Sequence, residues 1–186
     1  MKVKLGVSNR HVHLSEDVLN YLFEDQLTVK RELIQKGHYA SEETVTIKTN
    51  KGSIENVRVL GPIRSYTQVE ISKTDAYKLG LNPPVRDSGD LKNAETVTIS
   101  YKDKEIEVKE SCIIANRHIH LTPDDVINYG LEGLDKVSVK CEGIKGGTLD
   151  NVFLKVDPSF TLELHLDTDD ANSHLLKTGD VLNIIK

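Results

Sequence analysis

The sequence predicts a mainly β protein with short capping helices, built as two pseudo-repeated small β-barrel domains, and three observations predict it. SNRHVHLS at residues 8–15 returns as ANRHIHLT at residues 115–122, so the chain carries an internal repeat. Downstream, IENVRVLGPIRSYTQVEISKTDA (54–76) lies over LDNVFLKVDPSFTLELHLDTDDA (149–171) without a gap, keeping Asn-Val, the proline and the final alanine in step. The rest is dominated by short stretches that alternate apolar and polar residues, the pattern of half-buried strands.

Each copy opens on an apolar strand, KVKLGV or SCIIA, followed by the histidine motif and a helix start. Ser15 and Thr122 stand at the N-cap, Pro123 at the first helical position, and acidic residues follow at Glu16, Asp17, Asp124 and Asp125. Both histidine pairs therefore fall where a strand meets a helix N-terminus. Next come ETVTIKT, ENVRVL, TQVEIS, ETVTISY and EIEVKES in the first half, and KVSVKC, NVFLKV and TLELHL in the second. Gly, Pro, Asn and Lys bound these segments as they bound antiparallel strands. NPPVRDSGDLKNA (82–94) reads as the clearest loop. The repeat places a first domain at residues 10–113 and a second at 114–186.

Composition narrows the function. A net charge of −5 without blocks of like charge argues against nucleic acid as a partner. MKVKLGVSNRHVHL lacks the apolar core of a signal peptide, and no stretch is long and apolar enough to span a bilayer. A cytoplasmic protein without a membrane partner is expected. Cys112 and Cys141 lack C-x-x-C spacing and read as two small core residues.

Chemistry concentrates in the repeated motif. In a strand, residues i and i+2 share a face roughly 7 Å apart, so His11 and His13, and likewise His118 and His120, can converge on one ion. Imidazole suits zinc at about 2.0–2.1 Å, and a third ligand must come from elsewhere. The alignment supplies it by placing Glu70 opposite His165, which gives the sets His11-His13-Glu70 and His118-His120-His165. Three protein ligands leave coordination positions open, as catalysis requires. A lone H-x-H is as readily a surface feature, but repetition of the whole octapeptide favours a metal. Glu163 reads as a ligand or as a residue that orients one, and Gln68 in its place in the first half favours the orienting role or simple solvation. For His38 and His174, which have no repeat partner, a surface role is expected. Arg64 precedes Glu70 by six residues, and its planar, permanently charged fork suits phosphate or carboxylate; Ser159 stands at that position in the second half.

NRHVHLS, RVLGPIRSYTQVEIS, PVRDSGD, NRHIHLT and HLDTDDAN together resemble the phosphate propanoyltransferase type of phosphotransacylase, a family associated with bacterial microcompartments. The resemblance implies two β-barrels with capping helices, the N-terminal strand (roughly residues 1–9) completing the second. It implies a dinuclear zinc site held by the two sets above, and Arg64 as the phosphate-binding arginine. Arg58, Leu60 and Asn172 fall at positions expected to line a CoA pocket between the barrels, with Arg31 or Lys30 a candidate for the CoA phosphates. Arg86 matches a family loop that turn formation explains nearly as well.

The implied activity converts a short-chain acyl-CoA plus phosphate into acyl phosphate plus CoA. One zinc would take the thiolate, the other would polarise the thioester carbonyl, and no acyl-cysteine would form. A two-metal hydrolase and a non-catalytic metal-binding module are the competing readings. Members sent into microcompartments usually carry an N-terminal amphipathic extension, whereas here the first strand starts essentially at Met1, so shell association is not expected. A homo-oligomer fits the same reading.

Overall fold

Asn56 and Asn151, aligned by the repeat, both adopt a left-handed backbone with φ of 57° and 56°. Asparagine tolerates that region better than most residues, and each sits where a strand carries one residue more than its partner. Val57 pairs with Val45 and Ile54 with Ile47 in the first half. Val152 pairs with Val137 and Leu149 with Val139 in the second. The Asn-Val dipeptide is thus a β-bulge used twice to curve a sheet toward closure.

The computed structural model describes residues 1–24 and 26–186. Its strands are β1 (Lys2–Ser8), β2 (His11–His13), β3 (Val29–Glu32), β4 (Tyr39–Lys48), β5 (Ser53–Gly61), β6 (Gln68–Glu70) and β7 (Val85–Arg86). The remainder are β8 (Glu95–Tyr101), β9 (Lys104–Ala115), β10 (His118–Leu121), β11 (Lys136–Cys141), β12 (Gly147–Val156), β13 (Glu163–Asp167) and β14 (Val181–Ile185). Short helices follow the histidine strands and the strands opposite them: α1 (Glu16–Phe23), α2 (Lys73–Leu79), α3 (Pro123–Tyr129) and α4 (Thr168–Ser173). The mainly β architecture with short helices is the one the repeat predicts.

The chain divides into two compact units, Asn9–Ala115 and a second made of Met1–Ser8 with Asn116–Lys186. In the first, β4, β5, β2, β6, β9 and β8 pair in that order, and β8 closes the ring on β4. Two short strands are appended, β3 on β4 and β7 on β9. Its core gathers Val12, Leu14, Val45, Ile47, Val57, Val59, Val69 and Ile99. The second unit is a closed barrel of order β1, β13, β10, β12, β11, β14. β1 runs parallel to β13 and antiparallel to β14, and its Val3 and Leu5 join Ile119, Leu121, Val139, Leu164 and Ile184 in the core. Each ring places its histidine strand between a parallel and an antiparallel neighbour: β2 between β5 and β6, β10 between β12 and β13.

The helix starts divide. Thr122 accepts from the Asp125 amide and Asp125 answers to the Thr122 amide, a full capping box with Pro123 in the first turn. Ser15 stands at the N-cap of α1, but its hydroxyl hydrogen-bonds Thr67 Oγ1 at 2.8 Å instead of capping the helix. Loop 82–94 contains the short strand β7, and His174 falls at the C-cap of α4, one residue past the helix. Among the described residues no helix is long and apolar enough to cross a membrane.

Candidate metal centres

Register brings the members of each candidate set together within its own barrel. On the antiparallel side of β2, His11 faces Glu70 and His13 faces Gln68. On the corresponding side of β10, His118 faces His165 and His120 faces Glu163. Val12 and Ile119, between the histidines, are fully buried in their barrel cores. Strand alternation therefore turns both imidazoles of each pair to the opposite face of the sheet. Even there His11 and His13 are only 7% and 4% exposed, so the set is desolvated.

The backbone beside each pair orients the first ring. His11 Nδ1 lies 2.8 Å from the Asn9 carbonyl, and His118 Nδ1 lies 2.7 Å from the Asn116 carbonyl. A ring that donates from Nδ1 to a carbonyl presents the lone pair of Nε2, the arrangement that supports imidazole ligands. The motif's arginines brace the same turns: Arg10 Nε donates to Asp75 and Arg117 Nε to Asp170, each at 2.9 Å. Sequence reading assigned no role to these Asn, Arg and Asp residues, although the gapless alignment already sets Asp75 opposite Asp170.

Among the described residues two groups have the chemistry and spacing to hold a metal ion: His11, His13 and Glu70, and His118, His120 and His165, with the donor atoms of each set within 4.8 Å of one another. His11 Nε2 stands 3.5 Å from Glu70 Oε2. Among the described residues the buried ring nitrogens His13 Nδ1 and His165 Nε2 have no hydrogen-bond partner, a cost that coordination to a cation would remove. Burial, then the neighbouring His11 and Arg64 charges, pushes His13 down to about 2. Burial, Lys155 and His165 hold His118 well below the ordinary imidazole range. Both rings are consequently neutral at pH 7 with lone pairs available. Burial also works against charge on His11, but the Glu70 carboxylate outweighs it and raises its pKa. In the second set the His118 and His165 rings stack at 4.9 Å, and Phe160 stacks on His120 at 4.1 Å. The residues present fit a pair of divalent sites.

Arg64 is tied to the first set through a polar relay. Its backbone amide donates to the Leu14 carbonyl at 2.9 Å, beside the end of β2. Nη1 donates to Ser88 Oγ at 3.0 Å and Tyr66 Oη at 3.3 Å. Gln68 Nε2 donates to Ser88 Oγ at 2.8 Å and to Glu70 Oε1 at 2.6 Å, and the Gly89 amide donates to Gln68 Oε1 at 2.7 Å. A cationic fork, a hydroxyl, the Gln68 amide and the carboxylate of the candidate set thus form one continuous chain. His38, expected on the surface, is half-buried, its pKa lowered by burial and by Arg64, and it adds to the electrostatic field at His13. His174 lies outside both sets, its Nδ1 2.7 Å from Ser173 Oγ.

The remaining candidates scatter. Arg58 sits opposite His11 on β5, with Nη1 donating to the Ser41 and Glu42 carbonyls at 3.0 and 2.8 Å, and half-buried Leu60 follows on the same face. Arg31 is exposed on β3, while Lys30 is paired with Glu42 at 2.8 Å. Asn172 is exposed on α4, and Arg86 Nε lies 3.5 Å from Asp90. Neither cysteine is poised as a nucleophile: both are buried, and burial followed by the Glu95 charge pushes Cys112 up to about 12.

A family model described as phosphate propanoyltransferase matches residues 4–177. A phosphate propanoyltransferase of Thermotoga maritima is 50% identical over 185 residues, covering 98% of this chain and 88% of that protein. One from Priestia megaterium is 51% identical over 180 residues (96% and 83%), and one from Salmonella typhimurium 44% over 173 residues (92% and 82%).

Proposed function

The chain belongs to the phosphate propanoyltransferase family and is an acyltransferase, and from that premise we propose that it interconverts a short-chain acyl-CoA plus phosphate with acyl phosphate plus CoA. The observation that carries this reading is the relay from Arg64 through Ser88 and Gln68 to Glu70, which couples an anion-binding fork to a metal-ligand set.

His11, His13 and Glu70 would hold one divalent ion, and His118, His120 and His165 the other, with zinc favoured by the imidazole-rich donors. When bound, such ions supply Lewis-acid polarisation of a thioester carbonyl and a soft site for the departing thiolate. Arg64 then holds phosphate by its guanidinium, and Ser88, already hydrogen-bonded to it, offers a hydroxyl to the same anion. Holding phosphate in the attacking geometry replaces a bimolecular encounter with a positioned one. A phosphate oxygen forms the new C–O bond, the C–S bond breaks, and the electron pair leaves on CoA sulfur. The cysteines take no part: burial raises the pKa of both thiols, Cys112 to about 12, so neither is activated as a thiolate at neutral pH. Arg58, Leu60, Arg31 and Asn172 are assigned to CoA, and the reaction to the cytoplasm, where acyl-CoA is available.

Thiol release from acetyl-, propanoyl- and butanoyl-CoA tests the reading, run with and without phosphate and before and after chelation. Release should require phosphate and stop on removal of metal. Turnover with water alone would instead mark a thioester hydrolase.

A further inference from the structure

Arg64 stands outside the strands that carry the candidate metal ligands, in the loop between β5 and β6, where its neighbours Ile63 and Ser65 are exposed. A guanidinium that receives an anion in one geometry needs a fixed backbone, and an exposed loop does not obtain that from burial. We propose that Ser15 and Thr67 are positioning residues for Arg64, clasping its loop to the end of the strand that bears His11 and His13. The inference rests on the phosphate role given to Arg64 above.

Three hydrogen bonds make the clasp. The Arg64 amide donates to the Leu14 carbonyl at 2.9 Å, the Ser15 amide donates to Thr67 Oγ1 at 3.0 Å, and the two hydroxyl oxygens of Ser15 and Thr67 lie 2.8 Å apart. Ser15 and Arg64 accordingly pair as a parallel β-bridge outside the named strands. Residues 64 and 67 are thus both tied to the two residues that follow His13, which holds the arginine loop at either end. Ser15 and Thr67 are buried, so water does not compete for their hydroxyls as it would on the surface. Pro62 has no N–H to offer the Leu14 carbonyl, and the Arg64 amide takes that bond.

The second barrel has the same framework without the clasp. Ser159 stands where Arg64 does, and Leu162, which has no hydroxyl, stands where Thr67 does. There the Leu121 carbonyl accepts from the Asp157 amide at 3.0 Å, and Ser159 turns its own amide and hydroxyl to the Asp157 carboxylate. Thr122, with no loop to hold, caps α3. Ser72 and Asp167 cap α2 and α4 in the same way, so among the described helices α1 alone begins without a side-chain cap. Serine is a favoured N-cap, and its diversion weakens the start of α1. The diversion occurs in the barrel that carries the arginine and is missing from the one that does not, which ties it to Arg64 and not to helix or barrel formation.

Steady-state thiol release by the metal-loaded full-length chain, with inorganic phosphate and propanoyl-CoA varied in turn, provides the test. Thr67→Val removes the hydroxyl at nearly constant volume and should lower kcat/KM for phosphate by about three- to tenfold, the worth of one hydrogen bond. KM for propanoyl-CoA and metal content should not change. Thr67→Ser, which keeps the hydroxyl, should restore the wild-type value. In an Arg64→Ala background Thr67→Val should have no further effect, because it acts through the guanidinium. Ser15→Ala, expected to act in the same direction, takes over should Thr67→Val fail to fold. An unaltered kcat/KM for phosphate, an equal loss with and without Arg64, a matching rise in KM for propanoyl-CoA, or loss of metal overturns the clasp alone. Phosphate kinetics unchanged by Arg64→Ala, or no phosphate-dependent release by wild type, overturns the phosphate reading and the clasp with it.

Discussion

Arg64 carries the heaviest assignment of any single side chain. Its guanidinium donates to Ser88 and Tyr66 and is linked to the candidate ligand Glu70 through Ser88 and then Gln68, so Arg64→Ala should leave metal content intact. Loss of a preorganised cation that stabilises an anionic transition state should lower kcat/KM by roughly 10²–10³-fold. Unchanged activity would remove phosphate from this position. Protons compete with the metals for the histidines, and the direction follows from the shifts. Folding depresses His13 to about 2 and lowers His118, so below the ordinary pKa of 6.5 the unfolded chain binds protons the folded chain refuses. Their stabilising contribution is complete above about 6.5 and drains away as pH falls toward the folded values. His11, raised by Glu70, runs the opposite way but is one ring against three, His38 being lowered as well. The metal-stripped protein should therefore melt at a lower temperature at pH 5 than at pH 7. Replacing His13 by Gln should flatten that dependence.

Equivalent elements of the two halves solve the same problem by different local chemistry. α3 starts on a reciprocal capping box, whereas the Ser15 hydroxyl before α1 is committed to Thr67. Thr122→Ala should cost about 1 kcal/mol of stability through loss of the cap. Ser15→Ala acts instead through a buried side-chain pair: the residue-15 amide still donates to Thr67 Oγ1, so the loss is the one hydroxyl–hydroxyl hydrogen bond, about 0.5–1.5 kcal/mol. A double-mutant cycle in denaturant should consequently show coupling between Ser15 and Thr67, and additive behaviour would refute the assignment. The sequence pattern S/T followed by acidic residues is the same in both copies. Only the packing of β2 against the segment carrying Thr67 diverts one of the hydroxyls.

The whole molecule depends on a strand that precedes the repeat. β1 closes the second barrel between β13 and β14, and its Leu5, fully buried, pairs with Leu164. Removal of residues 1–8 opens that ring and leaves two edges unpaired, an arrangement prone to aggregation. Hydrogen exchange on such a truncation should show loss of protection in β10–β14 with protection retained in β4, β5 and β8. Leu5→Ala, which keeps the backbone pairing, should cost about 2–5 kcal/mol. Full protection of β13 in the truncated chain would show that β1 is dispensable.

Much of this was readable before any coordinates. Periodicity of two marked most strands, because half-buried sheet faces force alternation. Duplication of NRHxHL placed both histidine pairs, and the gapless alignment matched Glu70 to His165 because strand register is preserved when a repeat is copied. What the letters could not carry is everything that joins residues distant in the chain. Short strands β3, β7 and β14 have too few alternations to stand out and exist because a neighbouring edge accepts them. Ser88 and Gln68 looked like turn and strand residues until folding set them between Arg64 and Glu70. His38 has no repeat partner, so nothing in the pattern distinguished it from a surface histidine. The duplicated histidine motif thus picked out the imidazoles of the two candidate sets. Their burial, their shared 4.8 Å span and the carboxylate beside His165 came from strand pairing, since ladder hydrogen bonds decide which side chains meet on a face.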